Sequence, residues 1–246
     1  MRLKTRRISV MLAALFVAVI WLVVNPASYE EIFTPVENTG AENGIRDFDA
    51  EAVTVANEGD KLATDILEKL EVKGRAPKTG YSREEFYDGW PIVDGCSLRQ
   101  RIIRREFGES AVLDECNVIG GEFDEPYTGE HKVFTEREQI SKGVQIDHVV
   151  ALSDAWQKGA QQKSKDERYQ IATDPLNLLA VDASANQGKS DGDAATWLPA
   201  NKKFRCQYIA RQISVKYKYG LWVTEAEKGA MARILENCPN EMSVGV

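Results

Sequence analysis

The sequence predicts an α+β domain, and three observations carry that expectation. Short β-branched or apolar runs alternate with stretches of helical periodicity, turn residues punctuate them, and no internal repeat or low-complexity tract is visible. With 246 residues, 43% of them hydrophobic and 28% charged, the chain can bury one good-sized core. At the centre are a strand, a second strand and a helix. "KGVQIDHVVAL" reads as a strand by its Val and Ile content, and "PLNLLAVDA" as a short second one. A helix is expected to be starting by Asn186, and "SDAWQKGAQQKSKDERYQIATD" between the strands reads as a polar helical insertion.

The flanking elements follow from the same rules. Ser82 can cap a short helix into "REEFYDGW", and "SLRQRIIRREFG" reads as a helix stopped by Gly108 with Ile102 and Ile103 inward. "NVIGGEFDEPYTGEHKVFTE" alternates around "DEPYTGE" and predicts a β-hairpin. "LPANKKFRCQYIARQISVKYKYG" predicts a long helix begun after Pro199 and ended by Gly220.

Charge and hydropathy divide the chain. Arg2, Lys4, Arg6 and Arg7 precede an uncharged apolar stretch at 8–24, which reads as a signal peptide or an uncleaved anchor helix. Residues 28–72 hold 12 acidic and 3 basic side chains, so the net charge of -7 belongs mainly to an acidic linker or stalk. One amphipathic helix, "DKLATDILEKLEV", is expected within that stalk. The expected organisation is therefore 1–27 signal or anchor, 28–75 acidic linker, 76–240 the domain and 241–246 a tail. Contact with a membrane is expected only through residues 8–24, if that segment is retained. Either way the domain lies outside the cytoplasm, secreted or tethered to the outer face, as a monomer.

Cysteine usage fits that compartment. Cys96, Cys116, Cys206 and Cys238 are even in number and contain no C-x-x-C pair, so disulfides are expected and a structural zinc is not. Three pairings are possible. Cys96 with Cys116 and Cys206 with Cys238 are favoured because each pair brackets one local unit.

The chemistry-bearing residues gather on the central elements. Asp147 directly precedes His148, one of two histidines in the chain, and Asn177 opens the second apolar run with Asn186 nine residues further on. Successive side chains of a strand point to opposite faces, so Asp147 and His148 do not simply pair. An isolated histidine is usually structural, and His131 in the hairpin is read that way. Asp191 and Asp193 are read as ordering a turn, and Trp156, Trp197, Tyr208, Tyr217, Tyr219 and Trp222 as packing residues. The segment after Pro199 carries Lys202, Lys203, Arg205, Arg211, Lys216 and Lys218 with no acidic residue, which points to a polyanion partner.

The strand–strand–helix order resembles the ββα-metal HNH endonucleases. Asn177, Leu178, Asn186 and Lys189 meet that family's spacing, and "DHVVALSDAW", "DPLNLLAVD", "DGDAATWLP" and "KYGLWVT" resemble its exported members over about residues 80–238. The resemblance implies a ββα-metal finger core with additional helices and a hairpin. It implies metal-dependent hydrolysis of DNA, with RNA as an alternative substrate, and weak sequence preference. His148 would be general base, Asn177 would fix the loop that aims it, and Asp147 and Asn186 would hold one divalent cation. Lys189, Lys202, Lys203, Arg205 and Arg99 are phosphate-contact candidates. Many relatives carry His at the helix position and zinc on two C-x-x-C pairs. Asn186 and the absence of such cysteines favour Mg²⁺, with Mn²⁺ or Ca²⁺ as alternatives. A metallopeptidase is a poor reading because H-E-x-x-H is missing. The alternative from another class is a catalytically inactive exported nucleic-acid-binding module.

Overall fold

Residues 61–245 are described by the computed structural model. Helix α1 (Ala63–Lys69) is followed by the two-residue strands β1 (Ile92–Val93) and β2 (Cys96–Ser97) and helix α2 (Leu98–Phe107). Three strands come next, β3 (Val112–Asp114), β4 (Asn117–Asp124) and β5 (His131–Phe134), then α3 (Arg137–Gly143) and β6 (Val144–His148). Helices α4 (Leu152–Gln157) and α5 (Lys165–Thr173) lead to β7 (Leu178–Asp182), α6 (Ala183–Lys189), α7 (Arg205–Lys218) and α8 (Glu225–Leu235). Among the described residues the three sheets are small and antiparallel: β1-β2, β3-β4-β5 and β6-β7.

The α+β expectation holds for these residues, and the anchor attached to it is corrected. No helix among the described residues is long and apolar enough to cross a membrane. The segment 8–24, on which the signal or anchor was expected, lies outside the described residues, as does the acidic stretch through residue 60.

Local sequence explains the element ends. Ser97 caps α2 by accepting from the Gln100 amide at 3.3 Å, and Gly108, at φ 56°, turns the chain out of the helix. Asp182 ends β7 and caps α6, its carboxylate accepting from the Ala185 amide at 2.8 Å. No loop therefore separates the second central strand from its helix. The insertion expected as one polar helix is two, because Gly159 at φ 122° breaks it and Ser164 with Glu167 forms a capping box that starts α5.

The β6-β7 hairpin sits between two packed layers. Its register pairs Asp147 with Leu179 and His148 with Leu178. Val144, Ile146, Leu178 and Ala180 pack with Ile102, Ile103 and Phe107 of α2. Leu179 and Val181 on the opposite face pack with Ile209 and Ile213 of α7 and with Ile66 and Leu67 of α1.

Helix α1, assigned from its acidic surroundings to the stalk, buries Ala63, Ile66, Leu67 and Leu70 in the core with α7 and α8. An amphipathic stripe needs a partner, and here tertiary contacts supply it. The expected C-terminal tail is tied down as well: the Ser243 amide donates to the Lys61 carbonyl at 2.8 Å, and the Ala63 amide to the Glu241 carbonyl at 2.9 Å. Two disulfides, Cys96–Cys116 and Cys206–Cys238, staple β2 to the β3-β4 turn and the start of α7 to the chain just after α8.

Beneath these elements lies a buried ion network. The Lys158 ammonium, fully buried, lies 2.7 Å from Asp154, 2.8 Å from Asp193 and 2.6 Å from Glu227. Lys216, also fully buried, lies 3.1 Å from both Asp154 and Glu227. Arg75 closes the set at 2.9 Å from Asp154 and 2.7 Å from Asp193. Three cations meet three carboxylates, so the cluster is neutral; five of its six charged side chains are buried, and Arg75 reaches in from a partly exposed position. Burial raises the Asp154 and Asp193 carboxyls, but the neighbouring cations overcome it and hold both below the ordinary carboxylate range. Lys158→Met leaves buried carboxylates without their shared partner and should destabilise the fold by about 3–5 kcal/mol. Exposed Lys202→Met should change stability by less than about 0.5 kcal/mol. Urea unfolding of the two variants measures the contrast.

Candidate functional site

The site is built on the end of β6. Asp147 and His148 point to opposite faces of the hairpin because neighbouring strand residues alternate. Both are nearly inaccessible, at 5% exposure each, so each meets a set of protein partners rather than bulk water.

On the α7 face, both oxygens of Asp147 are taken. Lys189, at the last position of α6, reaches back with its ammonium 2.9 Å from Oδ1 and donates at 2.8 Å to the His148 carbonyl. Tyr127, from the hairpin turn, donates its hydroxyl to Oδ2. The tyrosine is fully buried against Trp197 and Tyr208. Burial raises the Asp147 carboxyl above the ordinary value, against the opposing pull of Lys189 and the Tyr127 hydrogen bond. Burial and the Asp147 charge push the Tyr127 phenol well up. Asn186 lies one helical turn before Lys189 and donates its amide to the Gln145 side chain at 2.9 Å.

On the α2 face, His148 is a neutral, oriented ring. Its Nε2 lies 2.9 Å from the Ala172 carbonyl, and a carbonyl only accepts, so Nε2 carries the proton and Nδ1 the lone pair. No protein partner for Nδ1 is found among the described residues. The Trp90 ring lies nearly parallel to the imidazole, 7° apart with centroids at 6.1 Å, and Tyr87 lies 5.8 Å away. Burial, followed by the positive charge of Arg83, pushes the His148 pKa down to about 3, despite the stabilising hydrogen bond to Ala172. Arg83 itself is exposed, stands over the Tyr87 ring at 5.4 Å and donates to its hydroxyl at 3.1 Å.

Asn177 holds the chain that leaves β6. Its side-chain oxygen accepts from the Val150 amide at 2.8 Å, and its nitrogen donates to the Val150 and Ile171 carbonyls at 3.3 and 3.0 Å. The residue is fully buried, so these bonds satisfy groups that water cannot reach. The same side chain thereby spans the end of α5, which supplies Ala172, and the loop after His148.

The residues expected to contact phosphate are dispersed. Lys189 is buried in its pair with Asp147. Arg99 is half-buried and donates to the Val144 carbonyl at 3.1 Å, with burial lowering its pKa. Arg205 turns back onto the Pro199 carbonyl at 2.8 Å. Lys202 and Lys203 are exposed and carry no ion pair among the described residues. The expected basic helix is therefore not one charged face: Lys216 belongs to the buried network, and Lys218 pairs with Asp174 at 2.7 Å. His131 is exposed beside Asp124 at 2.9 Å, and that hydrogen bond raises its pKa.

In this arrangement the Asp147 environment does not fit a divalent ion. Its carboxylate is fully engaged by donors, and a cation already faces it. Among the described residues one set of three metal-type ligand atoms lies close together, on Cys206, Cys238 and Glu241, but both sulfurs belong to the disulfide and offer no thiolate. Tyr127, Trp90, Tyr87 and Arg83 escaped sequence reasoning. A turn tyrosine or a loop tryptophan has no periodic signature, and none of the four adjoins the Asp-His pair in sequence.

A model of "GmrSD restriction endonucleases, C-terminal domain" matches residues 100–234, which include both central strands, α6 and α7. An "Uncharacterized secreted protein" of Arthroderma benhamiae is 35% identical over 179 residues, 72% of this chain and 84% of the relative. No solved structure matches. Together with the two disulfides, the secreted relative places this protein outside the cytoplasm. With more than half of its length matched by the family model, the chain belongs to this HNH-related family of restriction-endonuclease C-terminal domains.

Proposed function

We propose that the protein is an extracellular phosphodiesterase of nucleic acid, with DNA as the favoured substrate and His148 as general base. The single observation that carries this reading is the tautomer of His148. The Ala172 carbonyl holds the proton on Nε2, which leaves Nδ1 as the nitrogen able to take a proton from water. Asn177 keeps the Ala172 segment and the loop after His148 in register, so the ring is aimed. A phosphodiester is an anion, and exposed Arg83 beside the ring, with Lys202 and Lys203 further off, supplies positive charge for binding it. Mg²⁺ is the cofactor this reading favours, but Asp147, with both oxygens engaged by Lys189 and Tyr127, offers it no free carboxylate.

A second reading, a catalytically inactive module that binds nucleic acid, is favoured by one observation. Trp90 and Tyr87 cover His148, which is 5% exposed. Nicking of supercoiled plasmid in Mg²⁺ separates the two. The wild type should cleave, and His148→Ala should lower the rate by about 100-fold or more. Undiminished cleavage in the variant would remove His148 from the reaction, and plasmid binding without cleavage by the wild type would favour the module.

The buried neutral ring also predicts a pH effect. The folded-state pKa of about 3 lies below the value near 6.5 of an exposed histidine, so the unfolded chain takes up the proton first. The cost is absent above about pH 6.5, grows as pH falls by up to about 1.4 kcal/mol per unit, and levels off below the folded pKa. Between pH 6.5 and 4, the stability of His148→Gln should therefore fall less steeply than that of the wild type. Denaturant titrations across that range measure the difference in slope; parallel curves would mean a solvated ring.

A further inference from the structure

The His148 ring lies under a roof of two aromatic side chains, and the two are held differently. Tyr87 is buried in a cluster with Phe86, Val150, Leu152 and Trp156, and its hydroxyl accepts from exposed Arg83 at 3.1 Å. Trp90 is only partly buried and sits at the seam between that cluster and the α2 cluster, packed against both. Its indole nitrogen has no hydrogen-bond partner among the described residues. Trp156 and Trp222, by contrast, donate theirs to the carbonyls of Thr79 and Gly74 at 3.3 and 3.0 Å.

The backbone that carries Trp90 is fastened while its side chain is not. The Leu98 amide donates to the Pro91 carbonyl at 2.8 Å, and Arg101 holds Asp94 at 2.8 Å. On the other side Gly89, at φ 75°, is exposed and has nothing within 4 Å of an added Cβ, so open space adjoins the indole's own residue. Trp90 is thus a ring kept in place by packing alone, parallel to the imidazole of a residue that is 5% exposed.

We infer that Trp90 is a specificity-determining residue that makes single-stranded nucleic acid the substrate class of this site: its ring leaves the imidazole for an unpaired nucleobase, and the flanking phosphate takes the vacated space beside His148. The inference rests on the reading of His148 as general base. A duplex is stiff over about 150 base pairs, so it does not dip one phosphate below surrounding side chains. Its base faces are also stacked on one another, and none is offered to Trp90. A single strand meets both requirements, because its backbone bends within a few nucleotides and any base stacks on an aromatic ring. The exchange substitutes one parallel aromatic contact for another. Arg83, close enough to lower the His148 pKa, then lies beside the incoming phosphate.

Cleavage of one labelled DNA oligonucleotide in Mg²⁺, alone and annealed to its complement, tests the assignment. In the wild type kcat/KM should be higher on the single strand by about tenfold or more. Trp90→Ala should lower the single-strand value by about 5- to 150-fold, mainly through KM, and Trp90→Phe, which keeps a flat ring, should restore most of it. A wild-type kcat/KM on the duplex equal to or above that on the single strand overturns the inference, and so does a Trp90→Ala loss of the same size on both. Because Trp90→Ala can also loosen the fold, a wild-type measurement runs beside it. With 5-fluorotryptophan incorporated, the ¹⁹F resonance of Trp90, identified by its absence from Trp90→Phe, should shift on saturation with the single strand while those of Trp156 and Trp222 stay in place. An unmoved Trp90 signal at saturation overturns the inference too. A shifted Trp90 signal with no cleavage of either substrate would remove the hydrolytic reading alone, and equal cleavage of both would remove this one alone.

Discussion

Three carboxylates and three cations beneath the central hairpin are the constraint on which the rest of the structure depends. Asp154 comes from α4, Lys158 from the residue after it, Asp193 from the turn beyond α6, Lys216 from α7, Glu227 from α8 and Arg75 from the segment leading into the domain. Each buried ion alone would be costly, and removing one partner leaves the others uncompensated. That mutual requirement pins the far end of α6 and the start of α4, which are the two connections leaving the Asp147 and His148 region. The site's geometry is therefore held from below by charge and from the sides by apolar packing.

Strand alternation then divides the labour at the site. One residue step separates an acid held by Lys189 and Tyr127 from an imidazole held by the Ala172 carbonyl. The two faces lie in different surroundings, an aromatic cluster with α7 on one and α2 with Trp90 on the other. A strand can present two chemistries to one edge of a hairpin in this way, with the backbone between them shared. Lys189 bridges the faces by bonding both the Asp147 carboxylate and the His148 carbonyl.

Much of the fold was legible. The hairpin around "DEPYTGE", the helix stopped by Gly108 and the two central strands follow from alternation and turn chemistry, because those signals are local. The disulfide pairs agree with the local bracketing of the cysteines. Other elements have a local signal with a distant partner. Helix α1 was expected as an amphipathic helix within the acidic stretch, and its apolar stripe packs on α7 and α8. The run of basic residues after Pro199 looked like one surface, but helical geometry sends Lys216 inward to two carboxylates contributed from 62 and 11 positions away.

By itself the sequence determined the order of elements, the alternation that separates Asp147 from His148, and the capping and turn residues that start and stop each segment, since these depend on neighbours a few residues apart. Only the tertiary structure decided the charge state and company of those side chains. Burial lowers the His148 pKa, Tyr127 arrives from the β4-β5 turn to bond Asp147, and Lys189 folds back onto a strand residue 42 positions earlier. Desolvation and ion pairing depend on what packs nearby in space, and no residue pattern along one segment specifies that.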